Sequence, residues 1–353
     1  MKLTEKSLKR GLLLSLLIGV VSILLVLAFT KKDLNWESLQ KIRPSYFILA
    51  VVLMIGSWLA KAGRLKILVD TMGGQIPLSR MLNIHLSACF VSQVTPTTGG
   101  GLPLQVYMIY RQGVNFGHTV AASVVDSFLT ILFYIVVAPI LLLIWRRQIG
   151  VEQTSLTVFF FLILLVCGFL LYLIFRPEMV GQWTVALGQT KFFRALDRKG
   201  RLDRLGKRVS QEVIRYREAL TLLAQQRRTA LWWSVLLTFA YWGFYLAIAP
   251  VLLLGLNIEF NLVQTMIAQL LLNFIQPFFP TPGASGGAEL SFAYFFQGVV
   301  PRWALGIYVM AWRFITYYLS LVFGAISLVY AMHKGWLERN KLNTTWEVEE
   351  GEP

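Results

Sequence analysis

Cysteine, histidine and acid are all scarce in this chain of 353 residues, and each scarcity closes a route. The two cysteines, Cys89 and Cys167, sit in apolar runs, so neither a disulfide framework nor a thiolate metal centre is expected. The three histidines form no His/Glu cluster at zinc spacing. No metal and no other cofactor is expected, and no catalytic residue is assigned. A G-x-S-x-G elbow and a phosphate loop ending in Lys-Ser/Thr are both missing, which argues against a serine hydrolase and against energy coupling by ATP within this chain. Charged residues make up only 14%, and 18 acids face 33 lysines and arginines, for a net charge of +15.

In a soluble protein that imbalance would point to nucleic acid. Here 56% of the residues are hydrophobic and mean hydropathy is +0.61, which describes an integral membrane protein. The positive-inside rule and anionic lipid account for the basic excess, and no nucleic acid is expected as a partner.

The apolar runs predict an all-α polytopic fold of six full transmembrane helices: Gly11–Phe29, Tyr46–Val69, Gly117–Trp145, Leu156–Phe175, Leu231–Leu254 and Trp303–Tyr330. The first follows Lys2, Lys6, Lys9 and Arg10 and lacks a small-residue cleavage site, so it reads as a retained helix. Four further runs, Ser79–Val94, Leu102–Tyr110, Leu262–Phe279 and Leu290–Val299, fall short of the ~20 residues of a comfortable span. They pair into two re-entrant helical hairpins. Arg176–Arg228 is the one long polar stretch, and its second half has apolar residues at helical spacing, as in a basic amphipathic helix on the inner membrane face. Residues 1–340 thus read as one transmembrane domain that includes the cytoplasmic segment 176–230, followed by a disordered acidic tail, 341–353. Placing the basic stretch inside puts both termini in the cytoplasm of a cell whose inner membrane holds the protein.

Each hairpin has a broken tip. Val94–Gln105 reads V-T-P-T-T-G-G-G-L-P-L-Q, and Phe278–Glu289 reads F-F-P-T-P-G-A-S-G-G-A-E. Such Pro/Gly density cannot continue a helix, and broken backbone at membrane depth survives only where protein buries it or where it lines a wet cavity. Offset by 184 residues, Leu86, Phe90, Pro96, Thr97, Gly99 and Tyr110 meet Leu270, Phe274, Pro280, Thr281, Gly283 and Tyr294, and Gln105 meets Glu289. Three full spans separate the hairpins, an odd number, so the two would enter from opposite faces as an inverted repeat. Paired breaks in inverted halves are a pointer to a transporter's binding site; two unrelated kinks are the bland alternative.

The candidate substrate-binding residues are therefore Thr95, Pro96, Gly99, Gly100, Gly101 and Gln105 at the first break, and Pro280, Gly283, Gly286, Gly287 and Glu289 at the second. Backbone N–H groups at a half-helix N-terminus suit a phosphate, although the glycines could serve only tight packing. Asp126 and Arg313 join them, each about 13–15 Å into its span. Either Asp126 or Glu289 can pair with Arg313. Such a pair either only fixes helix packing or belongs to a polar site in which Arg313 meets a phosphate. Arg64 and Arg111, near cytoplasmic helix ends, either gather anionic headgroups or snorkel.

Arg64, the Thr95–Gly101 break, Arg111-x-Gly113, Asp126 in A-A-S-V-V-D, the Pro280–Glu289 segment and Arg313 together resemble the membrane region of the lysylphosphatidylglycerol synthase/flippase family, over roughly residues 10–330. The resemblance implies a polytopic inner-membrane protein that handles anionic or aminoacylated phospholipids, or polyisoprenyl-phosphate lipids. Full-length synthases of that family carry a C-terminal acyltransferase domain that uses lysyl-tRNA. This chain ends about 20 residues after its last span, so the transferase activity is not expected to follow. The expected function is lipid transport. Phosphatidylglycerol lysyltransferase, or a membrane subunit of it, and a small-solute or ion transporter are the alternatives. The oligomeric state, a homo-oligomer included, is left open.

Overall fold

The computed structural model describes residues 43–95, 99–145, 228–296 and 298–336, with the isolated helical positions Leu165 and Gly168. Pro44, whose fixed φ and missing N–H suit a first helical position, opens α1, Pro44–Thr71. Then come α2, Leu78–Val94, α3, Gly101–Tyr110, and α4, Phe116–Trp145. After the basic stretch the chain forms α5, Arg228–Gly255, α6, Leu262–Ile275, α7, Gly287–Phe296, α8, Arg302–Arg313, and α9, Leu319–His333. Among the described residues there is no strand.

Four helices are long and apolar enough to cross a membrane: α1, the Phe116–Tyr134 part of α4, α5, and the continuous α8–α9 run Arg302–His333. Their outward faces carry Ile48, Val52, Trp232, Leu236, Val322 and Ile326, all more than half exposed, as a lipid-facing surface requires. The predicted span Gly11–Phe29 lies outside the described residues. So do Leu156–Phe175, apart from Leu165 and Gly168, the basic stretch 176–227 and the tail 341–353.

The described chain divides into two compact units, one drawn from 43–63, 76–113 and 239–336, the other from 64–75, 114–145 and 228–238. In the first unit, α7 and α8 are joined by an aromatic stack. Phe292 lies 4.3 Å from Phe296, 5.0 Å from Tyr308 and 4.6 Å from Trp312, centroid to centroid. Ala50, Met54 and Trp58 of α1 and Ile248, Leu252 and Leu253 of α5 complete this core. Pro250 interrupts the backbone bonding of α5. Two carbonyls in the turn or so before it are served by side chains: Gln269 Nε2 donates to Tyr245 at 3.1 Å, and the Tyr308 hydroxyl to Ala249 at 3.2 Å.

Two helical hairpins, α2–α3 and α6–α7, belong to this unit, with their arms packed on each other. Helix α9 packs along α2, and Gly324 allows it: a Cβ there would lie 2.5 Å from the Leu86 carbonyl oxygen. Small residues let membrane helices approach at this range. Between α8 and α9 the helix widens into a π turn, Phe314–Tyr318, closed by Leu319 N–H on the Phe314 carbonyl.

The second unit gathers the end of α1, α4 and the start of α5. Leu65, Leu68, Val69, Ala121 and Ala122 are fully buried in it. His118 Nδ1 lies 3.0 Å from the Met72 carbonyl and ties α4 to the turn after α1.

Candidate functional site

Thr95 organises the first break. It ends α2 in an extended conformation, and its hydroxyl donates to the Val91 carbonyl at 2.7 Å while accepting from Gly100 N–H at 3.0 Å. One side chain thus bridges the gap between the two arms. Gly101 sits where a Cβ would meet Ser92 Oγ at 2.1 Å and the Ala88 carbonyl at 2.7 Å, and Gly100 where it would meet Thr95. The start of α3 lies on the backbone of α2 because neither glycine has a side chain. Gly99 is exposed, Gln105 is buried, and Pro96 lies outside the described residues.

At the second break α6 runs out through a 3-10 turn, Gln276–Phe278, and Pro280 stands exposed beyond it. Thr281 then closes a tight turn, its hydroxyl donating to the Ser285 carbonyl at 2.8 Å. Within the turn Gly283 and Ala284 have φ of 61° and 54°, and Gly286 has 87°, the left-handed region that glycine enters freely and alanine only at a cost. This turn, Pro282–Ala284, packs against α2, so the second break touches the first hairpin.

Glu289, fully buried in the first turn of α7, reaches back to accept from Gly286 N–H at 2.8 Å and accepts from Arg313 Nε at 2.9 Å. A carboxylate here satisfies an orphan N–H and complements the helix dipole. The positive end of α7, expected to be open to an external phosphate, is therefore already held by the protein's own acid. Gly287 also serves packing, since the Phe279 ring fills the place of its side chain at 2.3 Å.

Arg313 is 2% exposed. Its two terminal nitrogens share the Gly283 carbonyl at 3.3 and 3.4 Å, and its guanidinium lies 4.7 Å from the centre of the Tyr317 ring. The Tyr317 hydroxyl is buried without a hydrogen-bond partner among the described residues. Of the two carboxylates open to Arg313 in the sequence, Glu289 is the one it takes.

Asp126 has a different partner. Arg64 Nε donates to its Oδ1 at 2.6 Å, and the terminal nitrogens of Arg64 reach the Asp126 carbonyl at 2.9 Å, Thr130 Oγ1 at 3.1 Å and Thr238 Oγ1 at 2.8 Å. Both ionic side chains are at most 3% exposed. This corrects the headgroup-gathering or snorkelling role expected of Arg64. Its helix face turns inward, and four protein acceptors hold the guanidinium. Thr130 and Thr238 were not singled out in the sequence. Their signal is small polar residues one helical turn apart in apolar runs, as in Ser234 and Thr238. Arg111 is half-buried beyond the end of α3, its guanidinium 5.9 Å from the Tyr107 ring.

In the first unit an apolar crevice of about 450 Å³ opens beside the π turn, lined by Phe47, Leu252, Ile307, Phe314 and Tyr318, with Arg43 among its walls. Its chemistry suits a hydrocarbon chain and not a polar solute. Among the described residues no group of His, Cys, Asp and Glu could hold a metal ion.

A membrane protein that is helical throughout its described residues, with two broken hairpins and buried arginine–carboxylate pairs, is the class this geometry defines. The model of the lysylphosphatidylglycerol synthase TM region matches residues 12–324, and the chain belongs to that family. It is also similar to a UPF0104 membrane protein of Archaeoglobus fulgidus, at 28% identity over 333 residues, which cover 94% of this chain and all of that protein.

Proposed function

We propose that this protein carries the charged head of a membrane lipid across the cell membrane at its two helix breaks, while the tails stay in the bilayer. The observation that carries the reading is Arg313. It is buried at a break, spends two donors on one long shared contact to Gly283, and keeps two of its five N–H groups without an acceptor among the described residues. A phosphate oxygen can displace the shared carbonyl and engage the spare donors, and Glu289 beside it supplies the counter-charge or a proton.

In this reading the two hairpins are re-entrant and enter from opposite faces, the termini are cytoplasmic, and the residues of both breaks line the path. The ligand class is an anionic or aminoacylated phospholipid or a polyisoprenyl-phosphate lipid. The family's description and the apolar crevice support a lipid over a small solute.

The test is a proteoliposome assay with headgroup-labelled lipids and a membrane-impermeant quencher, run with phosphatidylglycerol, lysylphosphatidylglycerol and a polyprenyl phosphate. The protein should equilibrate at least one label between leaflets faster than empty liposomes, and Arg313→Gln should slow it at least tenfold. No movement above empty liposomes with any of the three sinks the proposal. Lysyl-lipid formed from lysyl-tRNA and phosphatidylglycerol would assign a transferase instead, and solute or ion flux without lipid movement a secondary transporter.

A further inference from the structure

The geometry points to a second lipid contact, an anionic-phospholipid headgroup site at the base of the α2–α3 hairpin, built from Arg80, Arg111 and Trp336. It goes beyond the transport reading, because its occupancy can be read without any movement of lipid across the bilayer.

Three chain ends meet there. Arg80, in the first turn of α2, donates to the Gln112 amide oxygen at 2.9 Å, just past α3. Its guanidinium lies 4.9 Å from the Trp336 ring, just past α9. Trp336 in turn meets Tyr330 edge-on at 5.5 Å, and Lys334 stands 5.8 Å over Tyr330. Arg111, the neighbour of Gln112, has its Nε and one terminal nitrogen buried with no hydrogen-bond acceptor among the described residues. A cationic donor left that way is costly, and the cost is relieved by an acceptor from outside.

Among the described residues of the first unit, no carboxylate stands at this site. Those residues include two carboxylates, Glu289 and Glu259. Glu289 is held by Arg313. Glu259 follows α5, whose end is bonded to the residue before α1 through Arg43 N–H on the Gly255 carbonyl at 2.8 Å. The end of α5 lies beside α8, since Gly255 and Leu256 wall the same crevice as Ile307 and Met310. From Met310 the α8–α9 run extends to His333, about 35 Å at the α-helical rise, before Trp336 is reached.

Arginine matches phosphate, and tryptophan and tyrosine mark the headgroup level of a bilayer. Leu78, Tyr107 and Tyr110 beside the site are 42%, 44% and 37% exposed, which gives acyl chains an apolar wall below the charge. That wall favours a phospholipid over a free anion.

The experiment is native mass spectrometry of the full chain released from micelles containing equimolar phosphatidylglycerol and phosphatidylcholine. At least tenfold more phosphatidylglycerol should be retained. Arg111→Gln should remove most of that preference, Arg111→Lys should keep part of it, and Arg80→Gln should lower it several-fold, with unchanged melting by tryptophan fluorescence as the folding control. Equal retention of the two lipids, or a preference untouched in both Gln variants, overturns the site. Inorganic phosphate that binds as well as the lipid and displaces it assigns a free-anion site instead. Proteoliposomes run in parallel separate the two readings. Loss of retention with transport intact removes Arg111 from the transport path while supporting the site, and Arg111-dependent retention without transport keeps the site and removes the transport reading.

Discussion

Removing the Glu289 carboxylate tests the second break most directly. Glu289→Ala strands Arg313, 2% exposed, beside a single long carbonyl contact, and also removes the acceptor for Gly286 N–H. Breaking a buried pair by losing one partner costs about 3–5 kcal/mol, and a lost helix cap adds about 1 kcal/mol. Glu289→Gln keeps one acceptor oxygen and loses the charge, so one of the two donors, Gly286 N–H or Arg313 Nε, is left facing an NH2 group, and it should still cost less than Glu289→Ala, about 1.5–3 kcal/mol. The double variant Glu289→Leu/Arg313→Met removes both charges and should be more stable than Glu289→Ala alone, since an apolar pair of similar volume is close to neutral. Unfolding in mixed micelles with rising SDS can be followed by tryptophan fluorescence. Trp312, buried next to Arg313 with its ring 5.9 Å from the guanidinium, reports the site, and far-ultraviolet circular dichroism reports the whole. A Glu289→Ala protein within 1 kcal/mol of the parent, or a double variant whose loss equals the sum of the singles, would refute the reasoning.

Asp126→Ala should destabilise by about 3–5 kcal/mol in the same titration, because the burial of Arg64 is tighter still, whereas Thr238→Val, which removes one of four acceptors, should cost about 1–3 kcal/mol. Gly283→Ala meets the Tyr317 ring at 2.3 Å and a φ of 61°, so Tyr317→Ala should recover the steric part of its loss and not the conformational part, as thermal melting of the two variants will show. Thr95→Val leaves Gly100 N–H without its acceptor and should cost about 1–3 kcal/mol, while Thr95→Ser stays near the parent; hydrogen exchange at Gly100 would rise in the first and not the second.

Much of this architecture is legible from hydropathy and Pro/Gly punctuation. The helices at 46–69, 79–94, 102–110 and 231–254 lie within a few residues of the observed α1, α2, α3 and α5, because each is bounded by proline, glycine or a basic pair that ends an apolar run. The breaks are legible for the same reason. Partner choice is not. Counting residues into a span gives the depth of Asp126 and Arg313 but not the direction each faces around its helix, so both carboxylates stayed open for Arg313 and Arg64 was given to the membrane surface. The glycines carry a similar ambiguity. Gly101 and Gly287 sit where a ligand could approach, yet Ser92 and Phe279 fill those places, and only the packing partner distinguishes the two uses. The π turn left no trace at all, since Phe314–Tyr318 holds neither proline nor glycine.

That turn also sets how the C-terminal part of the chain is aimed. A π turn winds one residue more than an α turn, and one residue is worth about 100° of rotation about the axis. The stretch before it can therefore show Tyr308 and Trp312 to one neighbour, while the stretch after it shows Gly324 to another, on a rod with no bend-forming residue between them. Deleting a single residue within 314–318 would let the turn close as ordinary α-helix with Gly324 still on the Leu86 backbone, whereas winding all five residues as α-helix would swing Gly324 about 100° away from it. The wide turn takes up one surplus residue, and so keeps two separate packing partners in phase.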